Sequence, residues 1–374
     1  MKTNLIYILG MMCLSGTVSA QTTVNYTEFE QKVLDYSQTL KQSVSQRTAM
    51  QKAMKAAKTA FFPAVDATGS YQYRINKYDM DFGGMAVPME HDSYSAEVGV
   101  VQPIYAGGSI YHTYKASQIQ SQIADKSVDL TTDNLIYAAE ASYWGTAAQK
   151  EMYKTMCQYV EIISQLTKVL QDKYDDGYIS KTDLIQMQTR LKEAELQRSS
   201  SYQSYQIALQ NMNVLMGLEP DKEVGLVDSI FVELPLPAYV GADAALNVRP
   251  DYAISQLDVD YQKRQVKLAA AKYNPSLSIG FKETWGTQML NISGETMFNS
   301  NVYASVKLPL FHWGARFKST AAQKAILLGK QYALQDKQDQ ITKEVAKAWT
   351  SLTENTRQID IAKENCKLAE ENLD

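Results

Sequence analysis

The stretch Val100–Gln118, VVQPIYAGGSIYHTYKASQ, leads from an apolar segment through Pro103, Gly107 and Gly108 into a helical pattern. A variant of it, VKLPLFHWGARFKSTAAQ, returns at Val306–Gln323. In both copies a proline is followed by an aliphatic residue, an aromatic residue and then a glycine. Proline and glycine interrupt regular elements, so each copy is typical of a strand that bends into a helix. The 206-residue offset between the copies indicates a duplicated module.

The repeat continues upstream of this stretch. Lys55–Pro63, KAAKTAFFP, matches Lys267–Pro275, KLAAAKYNP, at an offset of 212 residues. The difference between the two offsets places an insertion or deletion between the prolines of each copy, in a segment that we interpret as a loop. The sequence therefore predicts a first repeat at 21–245 and a second repeat at 246–374.

Each repeat contains two segments in which apolar and polar residues alternate. In the first segment Val65, Ala67, Gly69, Tyr71 and Tyr73 alternate with Asp66, Thr68, Ser70, Gln72 and Arg74. The pattern predicts strands at 64–78, 92–104, 275–287 and 300–311, joined by loops at Asn76–Asp92 and Gly286–Ser300. Membrane β-strands alternate in this way, with apolar residues outward and polar residues toward a lumen. A half-buried sheet of a soluble protein alternates identically, and the alternation alone does not separate the two.

The helical segments are unusually long. Apolar residues keep a near-helical spacing over 108–175, which corresponds to about 100 Å at 1.5 Å per residue. Gly177 suits a helix C-terminal cap, and Ser180 with Asp183 forms a variant of the capping box. These signals predict a returning helix at 180–217 and a connecting segment at 218–245. Another long helix begins at 315, and helices of this length favour coiled coils and helical tunnels over globular domains.

Charge, cysteines and the N-terminus narrow the class of protein. A net charge of −4 without a basic tract argues against nucleic acid as a partner. Met1–Ala20 has a lysine, a short apolar core and small residues at its end, which predicts a secretory signal peptide at 1–20. After it only Cys157 and Cys366 remain, too few for a disulfide framework. No later apolar run approaches the ~20 residues of a membrane-spanning helix.

Four membrane strands cannot close into a barrel by themselves. An open sheet edge in lipid leaves backbone groups unsatisfied at several kcal/mol each, as the bilayer core holds no water. The strands would therefore have to be completed by other copies of the chain. Two copies give eight strands and three give twelve, and long helical hairpins around a hollow favour the wider assembly.

The sequence resembles the TolC-like outer membrane efflux protein family from Tyr26 to Asp374. The resemblance is carried by AKTAFFP and AAAKYNP before the first strand of each repeat, by QPIYAGG and LPLFHWG after the second, and by KYDDGYISKTDLIQMQTRLKEAE at Lys173–Glu195. It implies a mainly α fold with membrane β-structure. Long α-helical hairpins would form a coiled-coil tunnel, and four antiparallel strands per subunit would contribute to a trimeric 12-strand β-barrel.

The resemblance also implies a location and partners. The barrel would lie in the lipid of the cell outer membrane, and the helical part would lie in the periplasm. The homotrimer would dock with a periplasmic adaptor and an inner-membrane transporter as the passive exit duct of a tripartite efflux pump. A type I protein secretion channel, a periplasmic adaptor protein and a non-functional truncated product are the alternatives. In repeat terms Asp374 corresponds to Lys168, so we expect the second hairpin tip and its returning helix to be missing.

Two groups of residues take roles from the resemblance. Residues at the hairpin tip would lie near the periplasmic aperture, although each also suits a plain helix cap or turn: Asp175, Asp176, Gly177 and Asp183. Residues at the bends between barrel and tunnel are Pro63, Pro103, Gly107, Gly108, Pro275, Pro309 and Gly314. The histidines His91, His112 and His312 stand apart, without a metal-binding motif. We therefore expect no enzymatic activity, no metal and no cofactor.

Overall fold

The computed structural model describes residues 22–76, 79–81, 83–88, 90–232, 235–287 and 295–372. The predicted signal peptide at 1–20 lies outside these residues, as do parts of the two predicted loops. The chain divides into two compact units, one made of Met1–Gln38 with Thr132–Leu234 and the other of Thr39–Thr131 with Pro235–Asp374. The second unit takes segments from both sequence repeats, because the strands of both repeats form one sheet.

The described elements form successive groups of helices and of strands along the chain. In chain order they are β1 (Thr22–Val24), α1 (Tyr26–Tyr36), α2 (Gln38–Thr59), β2 (Ala64–Tyr73), β3 (Asp79–Asp81), β4 (Ala86–Pro88), β5 (Asp92–Ala106), α3 (Ser109–Asp175), α4 (Lys181–Leu215), β6 (Val224–Leu226), α5 (Ala242–Val248), α6 (Pro250–Ala271), β7 (Ser276–Gly286), β8 (Met297–Lys307) and α7 (Ala315–Glu371). The helices α3 and α7 contain 67 and 57 residues.

One antiparallel sheet of four strands is the centre of the second unit. Its order is β2-β5-β7-β8, so β5 of the first repeat pairs with β7 of the second. The registers bring apolar positions opposite apolar positions, as in Val65 opposite Val100 and Val100 opposite Phe281. The predicted alternation of the two faces is therefore confirmed.

The ends of the strands differ from the predicted ones. β2 ends at Tyr73 instead of residue 78, and part of the predicted loop after it forms the short hairpin β3-β4. β5 continues past residue 104 to Ala106 through a register irregularity between Pro103 and Tyr105. β8 runs from Met297 to Lys307, not over 300–311, and it ends where its neighbour β7 begins. A strand persists only where a neighbour satisfies its backbone groups, which a sequence pattern does not encode.

The first unit is held by a core that the sequence analysis did not contain. β1 pairs in parallel with β6, which lies in the segment interpreted only as a connection. Tyr143 of α3 is fully buried there, and its hydroxyl, which has one proton to donate, lies 2.7 Å from Asp228 Oδ2 and 3.1 Å from the carbonyl oxygen of Val24. Asp228 Oδ2 also accepts a hydrogen bond from the backbone nitrogen of Tyr26 (2.7 Å). Burial, and then the hydrogen bond to Asp228, raise the pKa of Tyr143.

In the second unit, polar contacts join α6 to α7. Arg249, at the start of α6, binds both carboxylate oxygens of Asp251 (2.8 and 3.0 Å) and also contacts Glu344 (2.6 Å). Lys337 of α7 reaches Asp251 at 3.2 Å. Burial of the Asp251 carboxyl opposes ionisation, but the hydrogen bonds from Arg249 and Lys337 prevail and lower its pKa.

Candidate functional site: sheet faces, bends and hairpin tip

The four-stranded sheet has one apolar and one polar face. A row across all four strands on the apolar face consists of Val65, Val100, Phe281 and Val302. The polar face carries a hydrogen bond between Ser70 and Ser95 (2.8 Å) and an ion pair between Glu97 and Lys282 (3.2 Å). Glu283 is an exception, because it lies on the apolar face and is hydrogen-bonded to Ser300.

The two outer strands of the sheet each have one strand neighbour among the described residues. β2 pairs with β5 alone and β8 pairs with β7 alone. All residues of β2 are exposed, and so are nearly all residues of β8. Each outer strand thus presents one edge of backbone donors and acceptors, the feature by which strands of different chains associate.

The first predicted bend, between β5 and α3, is closely packed. Gly107 and Gly108 have φ angles of +64° and +88°, a conformation that favours glycine. A Cβ atom on Gly107 would lie 2.6 Å from the carbonyl oxygen of Ala271, at the end of α6. Asn274 donates a hydrogen bond to the carbonyl oxygen of Gly107 (2.9 Å). The predicted bend residues Pro63 and Pro275 lie directly before β2 and β7, which begin at Ala64 and Ser276.

The second predicted bend, between β8 and α7, is uncovered. Gly314 has a φ of +74°, and no atom of the described residues lies within 4 Å of a Cβ atom built on it. The residue before it, Trp313, has a φ of +49°, which is uncommon for a residue with a side chain. Leu310 is 90% exposed and Trp313 is 85% exposed, and both follow Pro309. The two bends thus resemble each other in backbone but not in surroundings.

The tip of the hairpin between α3 and α4 has the predicted caps. Gly177 has a φ of +81°. Its backbone nitrogen donates a hydrogen bond to the carbonyl oxygen of Tyr174 (2.9 Å), and the backbone nitrogen of Tyr178 donates one to the carbonyl oxygen of Lys173 (2.8 Å). This is a Schellman motif, in which a left-handed residue ends the helix. At the start of α4, Ser180 and Asp183 form a complete capping box. The predicted caps of both helices are therefore confirmed.

The tip also carries three exposed carboxylates. Asp175 accepts a hydrogen bond from Gln171 (2.9 Å), and Asp183 accepts one from the Ser180 hydroxyl (2.7 Å). Asp176 follows Asp175 and is exposed as well. The Asp183 carboxylate therefore has a capping role in the structure. Its predicted position near the periplasmic aperture stays a prediction.

The histidines occupy separate structural positions. His91 Nδ1 is 2.8 Å from the carbonyl oxygen of Arg74, and His312 makes an edge contact with Tyr273. His112 lies at the first bend, where burial and then the charges of Arg264 and Lys267 lower its pKa. Within the residues that the structure describes, no three His, Cys, Asp or Glu side chains are grouped to hold a metal ion.

The described helices do not provide a membrane span of their own. None of them has a stretch both long and apolar enough to cross a bilayer.

The structure thus joins an antiparallel sheet to long helices at glycine-containing bends. The family model described as outer membrane efflux protein matches residues 30–218 and 241–374. The chain belongs to this family. The resemblance read from the bends, the repeat and the hairpin tip is thereby confirmed.

Several known proteins are similar to the chain. The alkaline protease secretion protein AprF of Pseudomonas aeruginosa is 21% identical over 278 residues, which cover 72% of this chain and 57% of AprF. The chain thus spans little more than half the length of this curated relative.

Solved structures extend the likeness of the fold. The outer membrane protein VceC from Vibrio cholerae has a TM-score of 0.77 at 14% identity, covering 91% of this chain and 81% of VceC. The Campylobacter jejuni CmeC outer membrane channel has a TM-score of 0.70 at 16% identity, covering 92% of this chain and 76% of CmeC. At such identities the likeness is one of fold alone, and it confirms the predicted combination of long helices with an antiparallel sheet.

Proposed function

We propose that three copies of the chain form a twelve-stranded barrel in the outer membrane, continued by a helical tunnel into the periplasm, and that the assembly is a passive exit duct. The observation that carries this proposal is the sheet, which has an exposed apolar face and, within the described part of the chain, only one strand neighbour for each outer strand. Membership of the outer membrane efflux protein family supports the same conclusion.

The energetics of the sheet edges require partners. In a bilayer each unsatisfied backbone group costs several kcal/mol, so an isolated four-stranded sheet is not stable there. Closure on further copies satisfies both edges, because β8 of one copy can pair with β2 of the next. Three copies give twelve strands, an even number within the range of bacterial barrels.

In such a barrel the two faces of the sheet contact different surroundings. The apolar row from Val65 to Val302 meets lipid, and the polar face meets the water of the lumen. The ion pair between Glu97 and Lys282 lies on this polar face, where the Thr284 hydroxyl also donates a hydrogen bond to Glu97 and the water of the lumen would solvate both charges. Glu283, on the apolar face, is hydrogen-bonded to Ser300 of β8, and this contact offsets part of the cost of its exposure to lipid.

We further propose that the hairpin tip docks with a periplasmic adaptor and, through it, with an inner-membrane transporter. The tip presents the exposed acidic residues Asp175, Asp176 and Asp183 on well-capped helix ends. In a trimer three copies of each carboxylate would approach one another at the periplasmic aperture. Like charges at a constriction create a negative potential that favours cations.

Drug efflux and protein secretion are two cargo classes for the same duct. The similarity to AprF, a secretion protein for an alkaline protease, favours protein secretion as the second candidate function. The duct takes its cargo from the inner-membrane partner, so the two candidates differ in that partner. Co-purification of the transporter after cross-linking in cells separates them.

Membrane fractionation tests the location. We expect the protein in the outer membrane fraction, resistant to extraction by alkaline carbonate, because the apolar face is held by lipid. Recovery in the soluble periplasmic fraction would contradict the channel assignment and favour an adaptor. A known periplasmic protein and a known outer membrane protein from the same cells serve as controls.

A further inference from the structure

The two repeats differ at one point of the sheet. β5 and β8 are equivalent strands, and Lys307, the last residue of β8, corresponds to Val101 of β5 at the 206-residue offset. Both residues are also the last of their strand to pair with the preceding strand of the same repeat, Val101 with Ala64 and Lys307 with Ser276. β5 nevertheless continues to Ala106, whereas β8 stops at Lys307.

The neighbouring strand explains this difference. Beyond Val101, β5 is supported on its other side by β7, from Gln102 opposite Ile279 to Ala106 opposite Ser276. β8 has no strand on that side among the described residues. A proline lies at the same place in both repeats, so the proline does not cause the difference. The segment Leu308–His312 thus follows β8 without strand structure and, within the described residues, without a strand beside it.

We infer that Leu308–His312 becomes part of β8 by pairing with β2 of a second copy, in the register that β5 uses on β7. This inference rests on the proposed assembly of copies. The opposed residues follow from the pairs between β5 and β7, because β5 corresponds to β8 at the 206-residue offset and β7 corresponds to β2 at the 212-residue offset. The predicted pairs are Val302 with Tyr73, Ala304 with Tyr71, Ser305 with Ser70, Val306 with Gly69, Lys307 with Thr68, Pro309 with Asp66, Phe311 with Val65 and His312 with Ala64, with a bulge at Leu310.

The chemistry of the two edges fits this register. Opposed residues lie on the same face of a sheet, and a slip of one residue would place apolar residues against polar ones. In the inferred register Ala304 meets Tyr71 on the apolar face, and Ser305 meets Ser70 on the polar face. Lys307 lies diagonal to Asp66, at a distance that long side chains bridge. Both side chains are exposed in the single copy, so an ion pair between copies is open to them.

The same transfer assigns a partner to the uncovered second bend. Trp313 corresponds to Gly107, and Phe62 corresponds to Asn274 at the 212-residue offset. In the first bend Gly107 is bound by Asn274 within the chain. The equivalent contact of the second bend then joins Trp313 of one copy to Phe62 of the next. Phe62 is 61% exposed in the single copy, and two exposed aromatic rings replace the polar contact of the first bend.

Disulfide cross-linking tests the register. In a background with Cys157→Ser and Cys366→Ser, the double variant S70C/S305C should form linked dimers and trimers on a non-reducing denaturing gel. Opposed strand residues have Cα atoms about 4.5–5.5 Å apart, within the range of disulfides. A link within one copy is excluded, because β2 and β8 are three strand spacings, about 14 Å, apart. Each single-cysteine variant should remain unlinked.

Two matched variants move one cysteine by two residues while keeping it on the same face. T68C/S305C and Q72C/S305C join diagonal positions about 7–8 Å apart, so we expect at least about five-fold less linked product. Faster linkage of either variant would overturn the inferred register. The pair F62C/W313C tests the bend in the same way, and a lack of linked product there would overturn the contact between Trp313 and Phe62.

Assembly is measured separately, by native mass spectrometry of the protein in detergent before oxidation. Assembled copies that link in another register would overturn only this inference. A protein that stays a single copy in detergent and in lipid would overturn both the inference and the proposed trimer.

Discussion

Arginine substitutions on the two faces of β7 provide a direct test of lipid contact. Ile279 lies on the apolar face, opposite Gln102 and Ala304, and is 46% exposed. The preceding residue, Ser278, lies on the polar face opposite Ser305. Ile279 is two residues from the midpoint of the eleven-residue strand, about 7 Å at 3.4 Å per residue. Its side chain would therefore lie near the bilayer centre.

The expected cost of Ile279→Arg follows from this position. Arginine on the lipid face costs about 2–4 kcal/mol at the midplane and about 0–1 kcal/mol near the interfaces. We expect about 2 kcal/mol, which is about a 30-fold change in the unfolding equilibrium. Ser278→Arg is the matched control and should cost less than about 1 kcal/mol, because its side chain reaches water.

Urea unfolding of both variants from vesicles of one lipid composition measures these costs. Tryptophan fluorescence follows the transition, and the free energy of unfolding of each variant is compared with that of the unchanged protein. Equal losses for the two variants would refute the assignment of the faces. A larger loss for Ser278→Arg would mean that the polar face meets lipid.

Three further predictions concern the helical parts. Asp183→Asn should reduce cation selectivity in planar bilayers, because three carboxylates would line the aperture. The control Ser180→Ala removes the cap without changing the charge, so it should lower hairpin stability by about 1 kcal/mol and leave the selectivity of the unchanged protein. If both variants kept that selectivity, Asp183 would have only its capping role. Because the pKa of Asp251 is lowered in the folded state, its contribution to stability is complete above the ordinary pKa of about 4 and is lost as the pH falls through the folded value. Asp251→Asn should therefore reduce the free energy of unfolding at pH 7 and flatten its decline in acid, as followed by circular dichroism, and an unchanged acid profile would contradict this account. Tyr143→Phe should cost about 1–3 kcal/mol in thermal unfolding, since it removes the hydrogen bond from a buried hydroxyl to the half-buried carboxylate of Asp228, while the same change at the 74% exposed Tyr137 should cost close to nothing. Equal costs would argue against the contact between Tyr143 and Asp228.

The local features of the fold could be predicted from the sequence. Gly177 and Ser180 cap helices through chemistry contained within a few residues, and the alternation in β2 follows from the period of a strand. Contacts between distant residues could not be predicted in this way. Asp228 joins Tyr26 across 202 residues, and its segment shows no strong periodicity. The ends of β5 and β8 also depend on which strand lies beside them.

The residues of the candidate site also differ in whether the sequence predicts them. Gly107 was predictable as a bend residue, because a close approach of backbone requires glycine. The left-handed backbone of Trp313 was not, since nothing in its residue type favours that conformation. Its correspondence to Gly107 in the repeat is the signal that identifies it.

The ion conductance of the assembled protein tests the central claim most directly. Protein extracted from outer membranes and verified as a trimer by native mass spectrometry would be inserted into planar bilayers, and the current would be recorded at fixed voltage. A water-filled duct with a polar inner face predicts discrete steps of current, one for each inserted trimer. Trimers that insert into the bilayer and carry no ion current at any voltage or pH would contradict the account.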